Sequence, residues 1–588
     1  MTRKQKLELT WVGKENRPQL EPRILLEEPA LSFHASTRVT DDDIFDNRLI
    51  FGDNLLALKA LEQEFSGKVK CAYIDPPFNT QQAFEYYEDG LEHSTWLNLI
   101  RDRLEILHRL ISTDGTLFVH IDDNELGYLL VVLDEIFGRQ NRISIVTFKQ
   151  GAATGHKAIN PGVVSTSNFI LIYAKDKSSW SPRRIYTARA ERDKRYGQYI
   201  INSEDDFRKW RFVTLSAAFA TSMGLPEKGI KKELGDEYEV KLSEFVHRNP
   251  KRVIRLARPD YNAVSQDARN LIDVSKSAPS EVQLLNRSGY SPMYFTRGER
   301  ILFYADKLKE IDGELIAGEP LTSIWDDLLS NNLHNEGGVD FPKGKKPEML
   351  IKRCLELSTE RGDWVLDSFA GSGTTGATAH KMGRRWIMIE LRDHCNTHIL
   401  PRLQRVIEGS DTSGVSKACN WLGGGGLRYF KLAPSLLETD RYGRDVISKA
   451  YNAEMLAEAL CKLEGFTYAP SDSVYWQHGA STERDFIYVT TQSFSQEQLS
   501  LLSDEVGSDR SLLVLCSSFR GSPAAFPNLT VKKIPNHVKN RCEWGHDDYS
   551  LNVENLPKPT LDMRLRVDPE AHTSQRQTDM FGIEGGKS

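Results

Sequence analysis

The sequence predicts an open α/β sheet domain that is interrupted by an inserted segment and followed by a smaller α/β domain. Three observations carry this. Short apolar runs alternate with helical patterns from 47 to about 180, the alternation breaks over 181–325 where charge and turn residues increase, and it resumes from 346. The boundaries that follow are an N-terminal arm (1–46), a first half-domain (47–180), the insertion (181–325), a second half-domain (326–408), a C-terminal domain (409–555) and a tail (556–588).

Arg48–Phe51 reads as a strand, Asn54–Gln63 as a helix, and Val69–Ile74 as a strand introduced by the turn residues Ser66 and Gly67. Leu97, Ile100, Leu104, Leu107 and Ile111 recur at helical spacing, which predicts a helix over 94–111, capped by Ser94 and ended by Asp114-Gly115. Thr116–Ile121 is the next strand. After the insertion, Lys346–Thr359 reads as a helix with Pro347 in its first turn, and Trp364–Leu366 and Trp386–Ile389 as strands. A boundary falls near 409–417, and Gly423–Gly426 reads as a flexible run. Phe486–Thr490 and Leu512–Cys516 are expected strands around a helix that Ser495 and Gln498 open as a capping box. From Leu556 the periodicity fades, as expected of a mobile tail.

Composition narrows the classes. The 588 residues contain no apolar run of membrane-spanning length, and MTRKQKLELTWVG lacks the apolar stretch of a signal peptide, so the expected compartment is the cytoplasm and no membrane partner is expected. Seven cysteines (71, 354, 395, 419, 461, 516 and 542) lack CxxC spacing, so neither a zinc site nor a disulfide framework is expected. His120 with Asp122, Asp123 and Glu125 has the composition of a metal cluster, but it reads more simply as a sheet-edge turn, and no metal is assigned. Net charge is -6, yet residues 181–258 hold 18 Lys and Arg against 11 Asp and Glu, a local surplus that suits either a phosphate-binding surface or a solvated face.

Two stretches carry chemistry. In DWVLDSFAGSGTTG (363–376) a strand leads into a loop in which Gly371, Gly373 and Gly376 match GxGxxG, and Glu390 follows the next strand as an acid able to hold ribose hydroxyls. Ala377 stands where a triphosphate-binding loop needs lysine, which leaves dinucleotide and sulfonium cofactors nearly tied. The second stretch, CAYIDPPFNT (71–80), places Asp75 at a strand's carboxyl edge, followed by a stiff Pro76-Pro77 corner whose carbonyls can accept hydrogen bonds, and then the ring of Phe78. A carboxylate and a rigid carbonyl that each accept an N–H from an exocyclic amine would turn its lone pair outward toward a methyl donor, while Phe78 stacks on the base. That corner favours the sulfonium cofactor, S-adenosylmethionine.

GDN (52–54), DPPFNT, DGTLFVHIDDNE (114–125), KPEMLIKR (346–353) and FAGSGTT (369–375), in this order, resemble the β-class amino-methyltransferases of DNA, and most of all the modification (Mod) subunits of type III restriction-modification systems. The resemblance covers about 47–408 and implies a Rossmann-like methyltransferase sheet in circularly permuted order, with the insertion as target-recognition domain. It implies a site-specific enzyme that methylates the N6 amino group of a flipped adenine, since the acid Asp75 usually marks adenine and serine is commoner for N4-cytosine. Phe78 stands where the family usually has tyrosine, so any role of that hydroxyl is lost. A cofactor pocket of Asp53, Lys346, Asp367, Phe369, Gly371, Gly373 and Glu390 is implied, with Lys346 toward the methionine carboxylate; Asp53 also fits a helix cap and Lys346 a surface lysine. The family suggests double-stranded DNA as substrate, a homodimer and a separate restriction or other defence subunit.

Within the insertion, Arg248, Arg252 and Arg255, and likewise Lys251, Arg255 and Arg258, fall at helical spacing and predict a cationic helical or turn surface that grips phosphate. Gln577–Phe581 resembles the short peptides that dock on bacterial sliding clamps. Two other classes stay open: a nicotinamide-dependent oxidoreductase, and a non-catalytic DNA-binding specificity protein.

Overall fold

The structure, a computed structural model, describes residues 8–79, 93–151, 162–189, 191–311, 313–328, 333–341 and 344–549. Its centre is an 11-stranded sheet. Five of its strands precede the insertion: β1 (Asn47–Phe51), β2 (Val69–Ile74), β3 (Ile111–Ile121), β4 (Arg142–Lys149) and β5 (Ser167–Ala174). Three follow it: β6 (Trp364–Asp367), β7 (Arg385–Glu390) and β8 (Gly426–Leu432). In space they run β8-β1-β7-β6-β2-β3-β5-β4, all parallel except β5, which is antiparallel to both neighbours. Leu25–Glu27 and Phe33–His34 pair with β8, and Ile324–Trp325 pairs with β4. The two halves of the chain therefore interleave, with β6 and β7 lying between β1 and β2.

Both faces of the sheet are covered, which explains why its central strands are nearly continuous apolar runs. Ile74, Leu117, Leu366 and Ile387 face one core, closed by α1 (Asn54–Phe65) and α2 (His93–Leu110). Cys71, Tyr73, Val365 and Met388 face the other, closed by α3 (Glu348–Ser358), α4 (Thr374–Lys381) and α5 (Leu400–Glu408).

Three local expectations need correction. The helix α2 starts at His93, so Ser94 lies inside its first turn and is not its cap. Asp114-Gly115 is not a turn after that helix either: β3 already begins at Ile111, and its pairing jumps from Val69↔Ile111 to Cys71↔Thr116, so this dipeptide lies in a bulge. The glycine run is packed rather than flexible, because a Cβ on Gly425 (φ +75°) would lie 2.5 Å from the Ile44 carbonyl. Just beyond it, β8 adds to the main sheet past residue 408, where the sequence pattern had closed that domain.

The C-terminal unit has a five-stranded sheet in which Asp485–Val489, Ser511–Cys516 and Leu529–Lys533 run parallel. Its helix Gln496–Val506 is opened by the expected Ser495/Gln498 capping box. The insertion forms a six-stranded antiparallel sheet and a three-stranded one.

Candidate active site

Strand register brings the two motifs together. Leu366 pairs with Ala72, so Asp367 at the end of β6 and Asp75 just past β2 lie on neighbouring strands at the same carboxyl edge. Glu390 ends β7 opposite Phe51, two residues before Asp53, and His120 follows Val119, the partner of Ile74. Open α/β sheets bind ligands at this edge.

At the corner, Asp75 Oδ2 accepts from the Lys346 ammonium, whereas its Oδ1 is buried and has no partner among the described residues. Burial pushes the Asp75 carboxyl up from its ordinary range, and Lys346 pulls it back down. Trp96 Nε1 donates to the Pro77 carbonyl at 2.7 Å, and among the described residues nothing donates to the Pro76 carbonyl. Among the described residues, then, successive positions of one turn hold a carboxylate oxygen without a partner and a carbonyl without a donor.

Behind Phe78 lies His120, ring centroids 5.6 Å apart. His120 is fully buried between Tyr73 Oη and Asn168 Nδ2, each 3.0 Å from a ring nitrogen, and burial holds its pKa well below the ordinary histidine value, so the ring is neutral. Asn79 takes the left-handed conformation (φ 61°) and donates to Glu125 Oε1 at 2.6 Å; His93 Nδ1 lies 2.7 Å from the same oxygen. Glu125 and His120 thus serve the turn. Among the described residues no group of His, Cys, Asp or Glu is placed to hold a metal ion.

The glycine loop opens α4 with Gly373 in the left-handed region (φ 76°), where a Cβ would lie 2.9 Å from Ile399. Gly371 also has positive φ (53°), and among the described residues the space its Cβ would fill is open, with the Phe369 carbonyl at 3.8 Å as the one neighbour. Asp367 braces the loop by accepting from Phe369 N and Thr375 Oγ1, and burial raises its pKa to about 7. Glu390 accepts from Gly371 N through Oε2 and from Leu391 N and Arg392 N through Oε1. Beneath the loop, Arg402 donates to Ser372 O and Thr374 Oγ1 and pairs with the buried Glu348, which also binds Lys381.

Asp53 caps α1 through Leu55 N and Leu56 N, and its other oxygen accepts from Tyr549 N, with Arg103 at 3.6 Å. The cap alternative is the arrangement seen. Lys346 holds Asp75 and the Gly344 carbonyl rather than standing free at the surface.

Of the helical or turn surface expected here, the continuous helix does not form and the turn does. Arg248 ends a helix, residues 249–252 turn, and Arg255 lies in the strand Val253–Ala257, so helical spacing does not apply. Arg252 donates to the carbonyls of Ile200 and Ile201 and covers the Tyr199 ring at 4.7 Å, while Arg255 covers Tyr196 at 5.4 Å. Arg248, Lys251 and Arg258 are exposed. Gln577–Phe581 lies outside the described residues.

Sequence reasoning missed Trp96, Arg402 and Glu348. Each looks locally like an ordinary helix residue, and only the tertiary fold points it at a motif.

The family model of DNA methylases matches residues 69–399, more than half of the chain. This chain belongs to that family. The "Probable type III restriction-modification enzyme HindVI Mod subunit" of Haemophilus influenzae is 33% identical over 424 residues, covering 68% of this chain and 55% of the relative. The type III restriction-modification enzyme EcoPI Mod subunit of Escherichia phage P1 is 26% identical over 419 residues, covering 63% and 60%. The chain thus spans little more than half the length of these two relatives. A solved structure, PvuII DNA methyltransferase (cytosine-N4-specific), is 13% identical, with 66% of this chain and 95% of that one covered at a TM-score of 0.28. Among the described residues no helix is long and apolar enough to cross a membrane.

Proposed function

We propose that this DNA methylase-family chain is a site-specific methyltransferase acting on the N6 amino group of an adenine flipped out of double-stranded DNA. The observation that carries this reading is the buried Oδ1 of Asp75 beside the Pro76 carbonyl, both without a partner among the described residues and one strand away from the glycine loop. These two acceptors would meet the two N–H donors of an exocyclic amine. Accepting both turns the nitrogen lone pair out of conjugation, and the acceptors need no reorganisation as charge develops. Phe78 gives the flipped base a stacking face.

The loop fits S-adenosylmethionine: the open space at Gly371 admits a ligand against backbone, and Glu390 stands at the edge where ribose hydroxyls need an acceptor. When bound, that cofactor supplies an electrophilic methyl on a sulfonium. Phe369, Gly371, Gly373 and Glu390 would hold it. Asp367 would keep the loop in shape. Glu390 must exchange its bond to Gly371 N for the ribose, and Asp53 must release Tyr549 N if it is to reach the cofactor.

The exposed Arg248, Lys251 and Arg258 are the phosphate-gripping candidates of the insertion. Similarity to Mod subunits supports a restriction-modification setting with a separate restriction subunit; a homodimer and a sliding-clamp contact are further parts of this proposal. N4-cytosine is the second reading, because the same two acceptors suit either exocyclic amine. Single-molecule sequencing of DNA from cells expressing the chain and its Asp75→Ala variant tests the proposal: modified adenines at one sequence, absent with the variant, support it, and unmodified DNA in both refutes it.

A further inference from the structure

Lys346 joins two regions that its place in the sequence keeps apart. It comes 271 positions after Asp75, and its ammonium is fixed three ways: to Asp75 Oδ2, to the Gly344 carbonyl at 3.1 Å, and over the Phe78 ring at 5.2 Å from the centroid. Its side chain is only 8% exposed. No cofactor group is needed to explain this position.

Among the described residues, the other ionisable groups around Asp75 supply no positive charge. Tyr73, on the same strand, is tied to His120; His120, from β3, is neutral; and Asp367, from β6, would add negative charge if ionised. Among the described residues, Lys346 is the cation that faces this carboxylate. We propose that Lys346 is a positioning residue of the base-accepting corner: it pins Asp75 Oδ2, which directs Oδ1 at the base amine, and it keeps the carboxylate ionised while the base is bound. The inference rests on the methyl-transfer reading above and replaces the methionine carboxylate as the partner of Lys346.

The chemistry explains why such a cation is required. A protonated Asp75 would present a donor to an amine that is itself offering N–H donors, and the corner would stop working. Burial favours that protonated form, and the base, once stacked on Phe78, removes more water. A fixed ammonium opposes both effects, and it does so without occupying Oδ1.

The test uses the full chain, Lys346→Met and Lys346→Arg, with unmethylated genomic duplex DNA and tritiated S-adenosylmethionine. Calorimetry gives the affinity for S-adenosylmethionine, and single turnovers between about pH 5.5 and 9.5 give the rate profile. For Lys346→Met, cofactor affinity should stay within about threefold of the parent, while the acid limb moves up by roughly one pH unit or more, so that at any pH on that limb the rate is about tenfold slower and on the plateau above it the rate is unchanged. The sign follows from the need for ionised Asp75: removing the cation raises its pKa, so the active form appears only at higher pH. Lys346→Arg should keep the parent limb. A large loss of cofactor affinity with the limb unmoved would make Lys346 a cofactor residue, and a loss of rate equal at every pH would make it merely structural; either overturns the inference. If the parent chain transfers no methyl group to DNA, the functional reading fails instead.

Discussion

The Trp96 indole nitrogen donates to the Pro77 carbonyl across 2.7 Å, from the first turn of α2 into the Pro76-Pro77 corner. Of two adjacent proline carbonyls, the described residues engage one and leave its neighbour without a donor. Trp96 is completely buried, so the bond anchors the corner from inside the core. Trp96→Phe should therefore destabilise the protein by about 1 kcal/mol from the lost hydrogen bond, plus a packing cost, and lower the methyl-transfer rate more than cofactor affinity. Denaturant unfolding, single-turnover rates and calorimetry on the same variant check this.

Asp367 gives a pH dependence with a definite sign. Its folded pKa of about 7 lies above the 3.8 of an ordinary aspartate, so the native state binds the proton more tightly than the unfolded chain. The stability it contributes is complete below about pH 4 and is lost as pH rises through about 7. Unfolding free energy measured from pH 5 to 8 should fall more steeply in the parent than in Asp367→Asn. Parallel curves would show that Asp367 does not titrate in this window.

Arg252 and Arg248 should behave differently, although both looked like phosphate ligands in the sequence. Arg252 spends its guanidinium on the Ile200 and Ile201 carbonyls and the Tyr199 ring, so Arg252→Ala should cost about 1–3 kcal/mol of stability and leave the salt dependence of DNA binding nearly unchanged. Neutralising exposed Arg248, Lys251 and Arg258 together should instead flatten the plot of log Kd against log salt, by a slope of up to about 1 per lost phosphate contact. Melting curves and salt titrations separate the two outcomes.

Under the glycine loop, Glu348 is fully buried between Lys381 and Arg402. Arg402→Met would strip one cation from that carboxylate and two donors from the loop, with an expected loss of about 3–5 kcal/mol. Arg402→Lys should recover stability better than cofactor affinity, because a single ammonium cannot reach both the carboxylate and the loop as a guanidinium fork does. Thermal melts with and without S-adenosylmethionine measure both.

The strands and the two motifs were legible because their signals are local. VKCAYI and WVLD are apolar runs closed by acids, and FAGSGTT carries its glycines within seven residues. The capping box at Ser495 was legible for the same reason. The pattern failed where a residue's role depends on a distant partner. Arg248, Arg252 and Arg255 repeat at helical spacing, but a turn at 249–252 lies between helix and strand and sends them to different surroundings. Gly423–Gly426 looked loose, yet the backbone of Ile44, nearly 400 residues earlier, packs against it. Lys346 is separated from Asp75 by the whole insertion, and no local pattern could link them.

The central claim is that Asp75 and Pro76 grip an exocyclic amine beside a methyl donor. Nucleoside mass spectrometry of duplex DNA incubated with the purified chain and S-adenosylmethionine tests it most directly. The predicted result is N6-methyladenine from the parent and none from Asp75→Ala, with cofactor affinity retained. N6-methyladenine formed equally well by Asp75→Ala, or no methylated base from a parent chain that binds the cofactor, would contradict it.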